Sequence, residues 1–404
     1  MSKIKVIGLG IGKEWILPVY KDMIQNADLL VGGKRQLEYF SHLDIQKRTI
    51  KAPLDELFQE LTDGLNKGKD IVVVADGDPV FFGIGKRLIE VLGKERVEIY
   101  PNITVLQVAC GKIKISWDDI FTISLHGRKD FQLLFNAVSK KDKIAVFTDP
   151  KNSPSYIAKL LLERGVENFR CYVFENLGMD DERVSEYSLD EVAQKDFSPL
   201  SFVILIKEKR AEFKLRLGIE DHEFVHEKGL ITKKEIRSIA LSLLNIEPHH
   251  IIWDLGAGCG SVGIESFCLI ESGKVICVEK DVNRVELIKK NIKRFGAYGV
   301  EVVHGVMPKC LDLIDPPDRV FMGGGIDFDT LEKVAFKLKP CGIWVIHAVL
   351  LRSLNNVISF FEKMKWNYEL IQVQINRTKD LAESKMFKPL NPVFVLKTKK
   401  PPEA

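Results

Sequence analysis

Cysteine is sparse and never arranged for a metal: the chain has seven, an odd number, with no C-x-x-C pair and no run at metal-ligand spacing. That excludes a disulfide framework and suits reduced thiols in a cytosolic protein. Long apolar runs are also missing. No segment approaches the roughly twenty apolar residues that a membrane-spanning helix needs. The opening MSKIKVIGLG enters a strand pattern without the apolar region and cleavage site of a signal peptide, so a cytoplasmic location is expected. Neither sign of charge dominates: 59 basic and 56 acidic residues leave a net charge of +3, which gives no global field for nucleic acid. There is no solenoid-period repeat, no low-complexity tract, and no G-x-S-x-G or Cys/His constellation for a covalent nucleophile.

The chain does have length and alternation. Its 404 residues exceed one ordinary core, and two or three domains are expected. Short β-branched runs alternate with helical-period stretches, which points to an α/β fold. Strands are expected near 5–7, 28–31, 71–75, 98–100, 120–124, 143–148, 170–174 and 201–206, with a helix over 155–164. The charge-rich run KEKRAEFKLRLGIEDHEF begins at Lys207, and a linker is expected at 207–220. A helix is expected within 229–245, with Thr232 as N-cap and Glu235 completing a capping box. A second α/β series then runs through strands at 251–255, 274–278, 300–304, 319–322 and 342–348. It ends in an antiparallel pair at 369–375 and 392–397, the usual pattern of a Rossmann-like sheet.

The loop WDLGAGCGSVGI at 253–264 fits two cofactors. From Gly258 it reads G-x-G-x-x-G, the dinucleotide fingerprint. From Gly256 it reads G-x-G-x-G, the loop common in S-adenosylmethionine (SAM) methyltransferases. Gly256 and Ala257 lengthen the turn beyond what a tight pyrophosphate cradle allows. SAM offers a sulfonium and an amino-acid tail instead of phosphates. Asp254 is expected to face the tail ammonium, and Glu279, at the end of the next strand, to accept from the ribose hydroxyls. Cys259 reads as a small residue that fits the loop beside Gly260. SAM is therefore preferred over a nicotinamide dinucleotide. A second glycine cluster, GLGIG at 8–12, follows the first strand, and ADGDPVFFGIG and YPNITVLQ supply two further loops with bare backbone.

The segments VIGLGIG, ADGDPVFFGIG, SLHGR, DPKNSP and ENLG resemble the cobalamin-pathway branch of the tetrapyrrole (precorrin) methylases. The segments GLITKKEIRSIALSLL, WDLGAGCGSVGIE, VFMGGG and LNPVFVL resemble the decarboxylating precorrin C-15 methyltransferases. Both halves in this order are similar to the fused precorrin-6Y C5,15-methyltransferases. The resemblance implies a two-lobed tetrapyrrole methylase domain over 1–206, with lobes of about 1–112 and 113–206, and a Rossmann-like SAM methyltransferase domain over 221–404. It implies SAM at two sites, a tetrapyrrole substrate methylated at carbons 5 and 15 with loss of the ring C acetate carboxylate, and a homo-oligomer. Carried over, the first SAM site involves Gly8, Gly10, Asp76, Gly77, Asp78, Phe81, Thr104 and Val105. The second involves Thr232, Gly256, Gly258, Gly260, Glu279 and Val306. The sequence departs from the family's pattern at Gly12-Lys13-Glu14, at Pro101-Asn102 and at Gly323-Gly324-Gly325-Ile326-Asp327.

A substrate with many carboxylates calls for basic and amide anchors. His126, Arg128, Lys151 and Asn152 are the candidates in the first half. Lys233, Lys234, Arg237, Arg377 and Lys379 are those in the second, with Arg128 and Arg377 ranked first. No catalytic base identifies itself. No metal site is expected: His249 and His250 follow a proline in a turn, and His226 and His304 complete no i, i+4 pair with them. The alternatives are a SAM methyltransferase of another substrate such as RNA and a non-catalytic SAM-sensing protein. A nicotinamide-dependent oxidoreductase ranks below both.

Overall fold

The computed structural model describes residues 3–402. Its contacts divide it into two compact units. One comprises the residues up to Gly127 with Lys143–Ala158 and Arg170–Ile206; the other comprises Arg128–Asp142, Lys159–Phe169 and the chain from Lys207 onward.

The first unit holds two five-stranded sheets. One is all parallel, in the order Gln46–Thr49, Leu29–Gly32, Ile71–Ala75, Ile4–Gly8, Val97–Tyr100. Its central strands are apolar apart from Lys5, as expected of parallel strands covered on both faces. Ile4–Gly8 and Ile71–Ala75 lie in register, Gly8 opposite Ala75, so GLGIG and DGDP leave the sheet side by side at its carboxyl edge. The other sheet is mixed, in the order Phe121–Ser124, Lys143–Phe147, Ser201–Lys207, Phe169–Glu175, Arg183–Ser188. The outer strands Gln46–Thr49 and Arg183–Ser188 are polar, and no periodicity announced them.

The second unit is built on a seven-stranded sheet. Its order is Val300–His304, Lys274–Glu279, Ile251–Leu255, Arg319–Met322, Ile343–Ala348, Val393–Lys399, Tyr368–Val373. The first five strands are parallel, and Val393–Lys399 runs antiparallel to both neighbours. The strand order reverses between Ile251–Leu255 and Arg319–Met322, and an open α/β sheet binds its ligand at such a switch point. The expected terminal pair exists, but its connection carries an additional exposed hairpin, Asn376–Leu381 with Ser384–Pro389.

Two local expectations change. The helix within 229–245 spans Lys234–Leu244 and has Lys233 at its N-cap, with no side-chain cap from Thr232. Asp221 does that work from a distant turn, its Oδ1 accepting from the Lys234 amide at 3.0 Å. The charge-rich run after Lys207 is not free chain either. The Phe213 amide donates to the Arg294 carbonyl at 3.0 Å, and Ile219 is fully buried. Among the described residues, no helix is long and apolar enough to cross a membrane.

Candidate functional site

In the first unit, the two loops at the sheet's carboxyl edge are locked together. Gly77 donates to the Gly10 carbonyl at 2.7 Å, and Leu9 to the Ala75 carbonyl at 2.8 Å. A Cβ at Gly8 would lie 2.4 Å from the Gly77 carbonyl oxygen, so only glycine lets the backbones approach this closely. Asn102, one of the departures from the family's pattern, supports the loop: its Nδ2 donates to the carbonyls of Gly8 and Trp15, each at 3.0 Å. Thr104 caps the helix Val105–Ile113 in a capping box with Gln107, which commits its hydroxyl to the helix end. Asp78 accepts from the Val80 amide at 2.8 Å. Asp76 is held by Arg35 at 2.5 Å and Gln36 at 2.7 Å, residues some forty positions upstream that no motif pointed to.

A cavity of about 440 Å³ opens beside these loops. Gly10, Asp76, Gly77, Asp78, Phe81, Thr104 and Val105 line it, so the structure gathers seven of the eight expected residues. His126, exposed, lines it as well. Arg128 and Lys151 are exposed, whereas Asn152 is buried and donates to the Leu125 carbonyl at 2.6 Å. Asn152 is therefore a brace, not a substrate anchor. Asp149 organises this corner. Amides of Asn152 and Gly127 donate to its carboxyl and hold it below the usual carboxylate range.

In the second unit the glycine loop turns three times at positive φ, at Gly256 (69°), Gly258 (60°) and Gly260 (78°). Gly256 and Ala257 both donate to the Val278 carbonyl. Glu279 brackets the loop. Its Oε2 accepts from Gly258 at 2.8 Å, and its Oε1 accepts from Lys280 at 2.9 Å and Asp281 at 3.1 Å. Oε2 keeps a free acceptor site beside the loop. Asn291, which sequence reading missed, donates to the Cys259 carbonyl at 2.9 Å and exchanges bonds with Val225. Burial pushes the Cys259 thiol up, as suits a small packing residue. Val306 is exposed, and Thr232 is half-buried, its carbonyl accepting from Arg237. Asp327, the last of the family-pattern departures, caps the helix Phe328–Lys337.

Two expected anchors are structural. Arg237 has no exposed surface; it pairs with Glu265 at 3.0 Å and Asp221 at 2.9 Å. A fully enclosed guanidinium with its donors satisfied cannot reach a substrate. Arg377 ties the hairpin back to Glu235 at 3.0 Å and Asp221 at 3.2 Å. Lys233 donates to the Gly229 carbonyl and Lys234 to Glu220, and Lys379 stands exposed on the hairpin. Glu247, His249 and His250 bring ligand atoms within 4.8 Å of one another, but the His250 Nδ1 lone pair already accepts from the Glu247 amide.

The family model of the tetrapyrrole (corrin/porphyrin) methylases matches residues 3–193, and that of the precorrin methyltransferase domain matches residues 222–400. A precorrin-6Y C(5,15)-methyltransferase [decarboxylating] of a Sinorhizobium species is 28% identical over 95% of this chain and 94% of its own. A probable cobalt-precorrin-7 C(5)-methyltransferase of Methanocaldococcus jannaschii is 34% identical over 50% of this chain and 96% of its own. A probable cobalt-precorrin-6B C(15)-methyltransferase (decarboxylating) of Sulfurisphaera tokodaii is 36% identical over 46% of this chain and 98% of its own. The chain belongs to the fused precorrin-6Y C5,15-methyltransferases. This is a family of SAM-dependent methyltransferases, and none of these relatives supports the RNA alternative.

In this member of the family, Asp254 lies beneath the glycine loop and does not face its open side. It is 1% exposed; its Oδ2 accepts from Gly263 at 2.8 Å, and its buried Oδ1 has no partner. Its contribution is to hold the first turn of the helix Ser261–Phe267 that follows the loop, and burial pushes its carboxyl up to about 7. His347, at the end of Ile343–Ala348, is buried with Nε2 unpartnered, and burial holds it down at about 4. The two act oppositely on stability. Between pH 4 and 6.5 the unfolded chain protonates His347 and the folded one does not, so this term adds stability as pH rises. Over the same window the folded chain keeps a proton on Asp254 that the unfolded chain releases, so this term removes stability as pH rises. In the wild type the two oppose each other. Asp254→Asn, which keeps an acceptor for Gly263, should unmask a gain of about 3 kcal/mol from pH 4 to 6.5 relative to wild type. His347→Phe should unmask a loss of similar size. Urea unfolding followed by the fluorescence of the fully buried Trp253 and Trp344 reads both slopes. A pH profile unchanged by either substitution would refute the assignment.

Proposed function

We propose that the chain methylates a precorrin or cobalt-precorrin at carbons 5 and 15 with SAM as methyl donor, and removes carbon dioxide from the ring C acetate. The single observation that carries this reading is the presence of two glycine loops in one chain, each at the carboxyl edge of the parallel strands of its own sheet. The proposed division is a methylase domain over 1–206, a linker over 207–220 and a Rossmann-like domain over 221–404. The match of the tetrapyrrole methylase model to residues 3–193 and of the precorrin methyltransferase model to residues 222–400 supports this division.

The residues fit the donor at both sites. The Gly8–Gly77 approach leaves bare backbone beside a cavity sized for one small molecule, and a Cβ at Gly258 would meet nothing within 4 Å. Bound, SAM supplies an electrophilic methyl on a cationic sulfur. Gly8, Gly10, Asp76, Gly77, Asp78, Phe81, Thr104 and Val105 would hold it in the first site. Thr232, Gly256, Gly258, Gly260, Glu279 and Val306 would hold it in the second. The meso carbon of a reduced tetrapyrrole is enamine-like and already nucleophilic, so the chain need not provide a base. Its work is to orient carbon, methyl and sulfur in line and exclude water, which is worth roughly 7–11 kcal/mol. Holding the acetate beside an electron-poor ring favours loss of its carboxylate. The near-balanced charge supports a small-molecule substrate over nucleic acid, and both halves resemble self-associating domains, which supports a homo-oligomer in the cytoplasm.

The experiment is direct. Protein, SAM and a precorrin-6-type substrate are incubated, and the product is weighed. Two methyl gains and one carbon dioxide loss are expected; an unchanged mass with SAM binding intact overturns the proposal.

A further inference from the structure

We propose that Phe82 is the platform on which the flat tetrapyrrole lies during methylation at the first site, a proposal that rests on the functional reading above. The cavity of about 440 Å³ suits one molecule of the size of SAM. A four-ring macrocycle with its carboxylate arms is larger and must lie across the mouth. Two residues that line the cavity are large, apolar and open to solvent: Phe82, 56% exposed, and Leu200, 43% exposed.

Phe82 is held there at a backbone cost. Its φ is 54°, and it is the one aromatic residue among the described non-glycine residues with positive φ. Lys114, Asn245 and Lys365 share the conformation but end helices, where it is ordinary. Phe82 instead sits in the loop entering the helix Ile84–Leu92. A bulky residue at positive φ is strained, and strain of this kind persists where function requires it. The neighbouring positions show what the turn alone calls for: Gly77 has φ 59°, and a Cβ at Gly83 would lie 2.4 Å from the Pro79 carbonyl oxygen.

The strain is not repaid by burial. Phe81 packs, partly buried, against the apolar cluster around Leu106 and Phe202, whereas Phe82 stays more than half exposed. The Phe82 ring also touches the edge of that cluster. It stands 4.9 Å from Phe81 and 5.4 Å from Phe147; Phe147 stacks on Phe202 at 5.2 Å, and Phe202 on Phe174 at 4.9 Å. A chain of aromatic contacts thus runs from the buried Phe174 and Phe202 through Phe147 to the exposed Phe82, which lines the cavity. An exposed aromatic side chain offers a large apolar contact at low entropic cost, which suits the conjugated part of a tetrapyrrole.

The test compares Phe82→Gly, Phe82→Leu and Phe82→Trp with the wild type. Tetrapyrrole binding is followed by the absorbance of the ligand without SAM, and SAM binding is measured by calorimetry. Phe82→Gly relieves the backbone strain, so it should melt no lower than wild type while binding the tetrapyrrole about tenfold more weakly. Its SAM affinity should stay within about twofold. Phe82→Trp should restore tetrapyrrole binding, and Phe82→Leu should not. Leucine binding as tightly as phenylalanine, or tetrapyrrole and SAM affinities falling together, overturns the platform. A wild type that neither binds nor methylates the tetrapyrrole sinks the functional reading instead.

Discussion

Gly8→Val should abolish SAM binding at the proposed first site and leave the proposed second site intact, so that the variant should bind one equivalent of SAM fewer than the wild type. The reason is steric and local. A Cβ at position 8 would sit 2.4 Å from the Gly77 carbonyl oxygen and 3.0 Å from the Asn102 Cβ. The two strands cannot part without breaking the Leu9–Ala75 and Gly77–Gly10 bonds that bring their loops together. Displacement of this kind, on the order of 1 Å, is worth roughly a hundredfold in rate where catalysis is positioning. Gly256→Val is the reciprocal variant. That residue turns at φ 69° and faces the backbone of Gly324 at 3.2 Å, so a branched side chain is both strained and crowded. It should leave the first site occupied and the second empty. Calorimetric stoichiometry reads both outcomes without depending on the order of the two methylations. Two equivalents bound by Gly8→Val would show that GLGIG does not hold the donor.

Arg237→Met should destabilise the second unit by about 3–5 kcal/mol, the cost of stranding a buried charge. Arg237 holds together parts of the chain far apart in sequence. It reaches Glu265 on the helix after the glycine loop, Asp221, and the carbonyls of Ile219 and Thr232, and lies over the Phe224 ring at 5.1 Å. Glu265 also accepts from the amides of Gly218 and Ile219, each at 3.0 Å, and burial raises its carboxyl even with Arg237 beside it. Without the guanidinium this carboxylate must ionise unpaired or take up a proton. Arg237→Met combined with Glu265→Leu should therefore cost less than the sum of the single changes, because the pair is removed whole. Unfolding followed by Trp253 and Trp344 gives the free energies. A substrate anchor would behave differently: the Michaelis constant would rise with stability unchanged. That result would sink the structural assignment.

The sequence alone determined the strands buried on both faces, because an unbroken apolar run such as IVVVA at 71–75 has no other stable place. It also determined the glycine loops, since backbone at positive φ or in close approach admits few other residues. Family membership followed from those loops and their neighbours. Only the tertiary structure decided the roles of the charged residues. Arg237, Arg377 and Asp254 look like solvated or ligand-facing groups in sequence, because charge predicts exposure unless a partner is present. Their partners lie between 5 and 156 positions away. The polar strands Gln46–Thr49, Arg183–Ser188 and Asn376–Leu381 were illegible for a related reason: they are strands because a neighbour offers hydrogen bonds, not because their side chains alternate. Phe82 is the clearest case. In sequence it is one of two adjacent phenylalanines; in the structure both line the cavity, Phe81 partly buried and Phe82, at positive φ, more than half exposed.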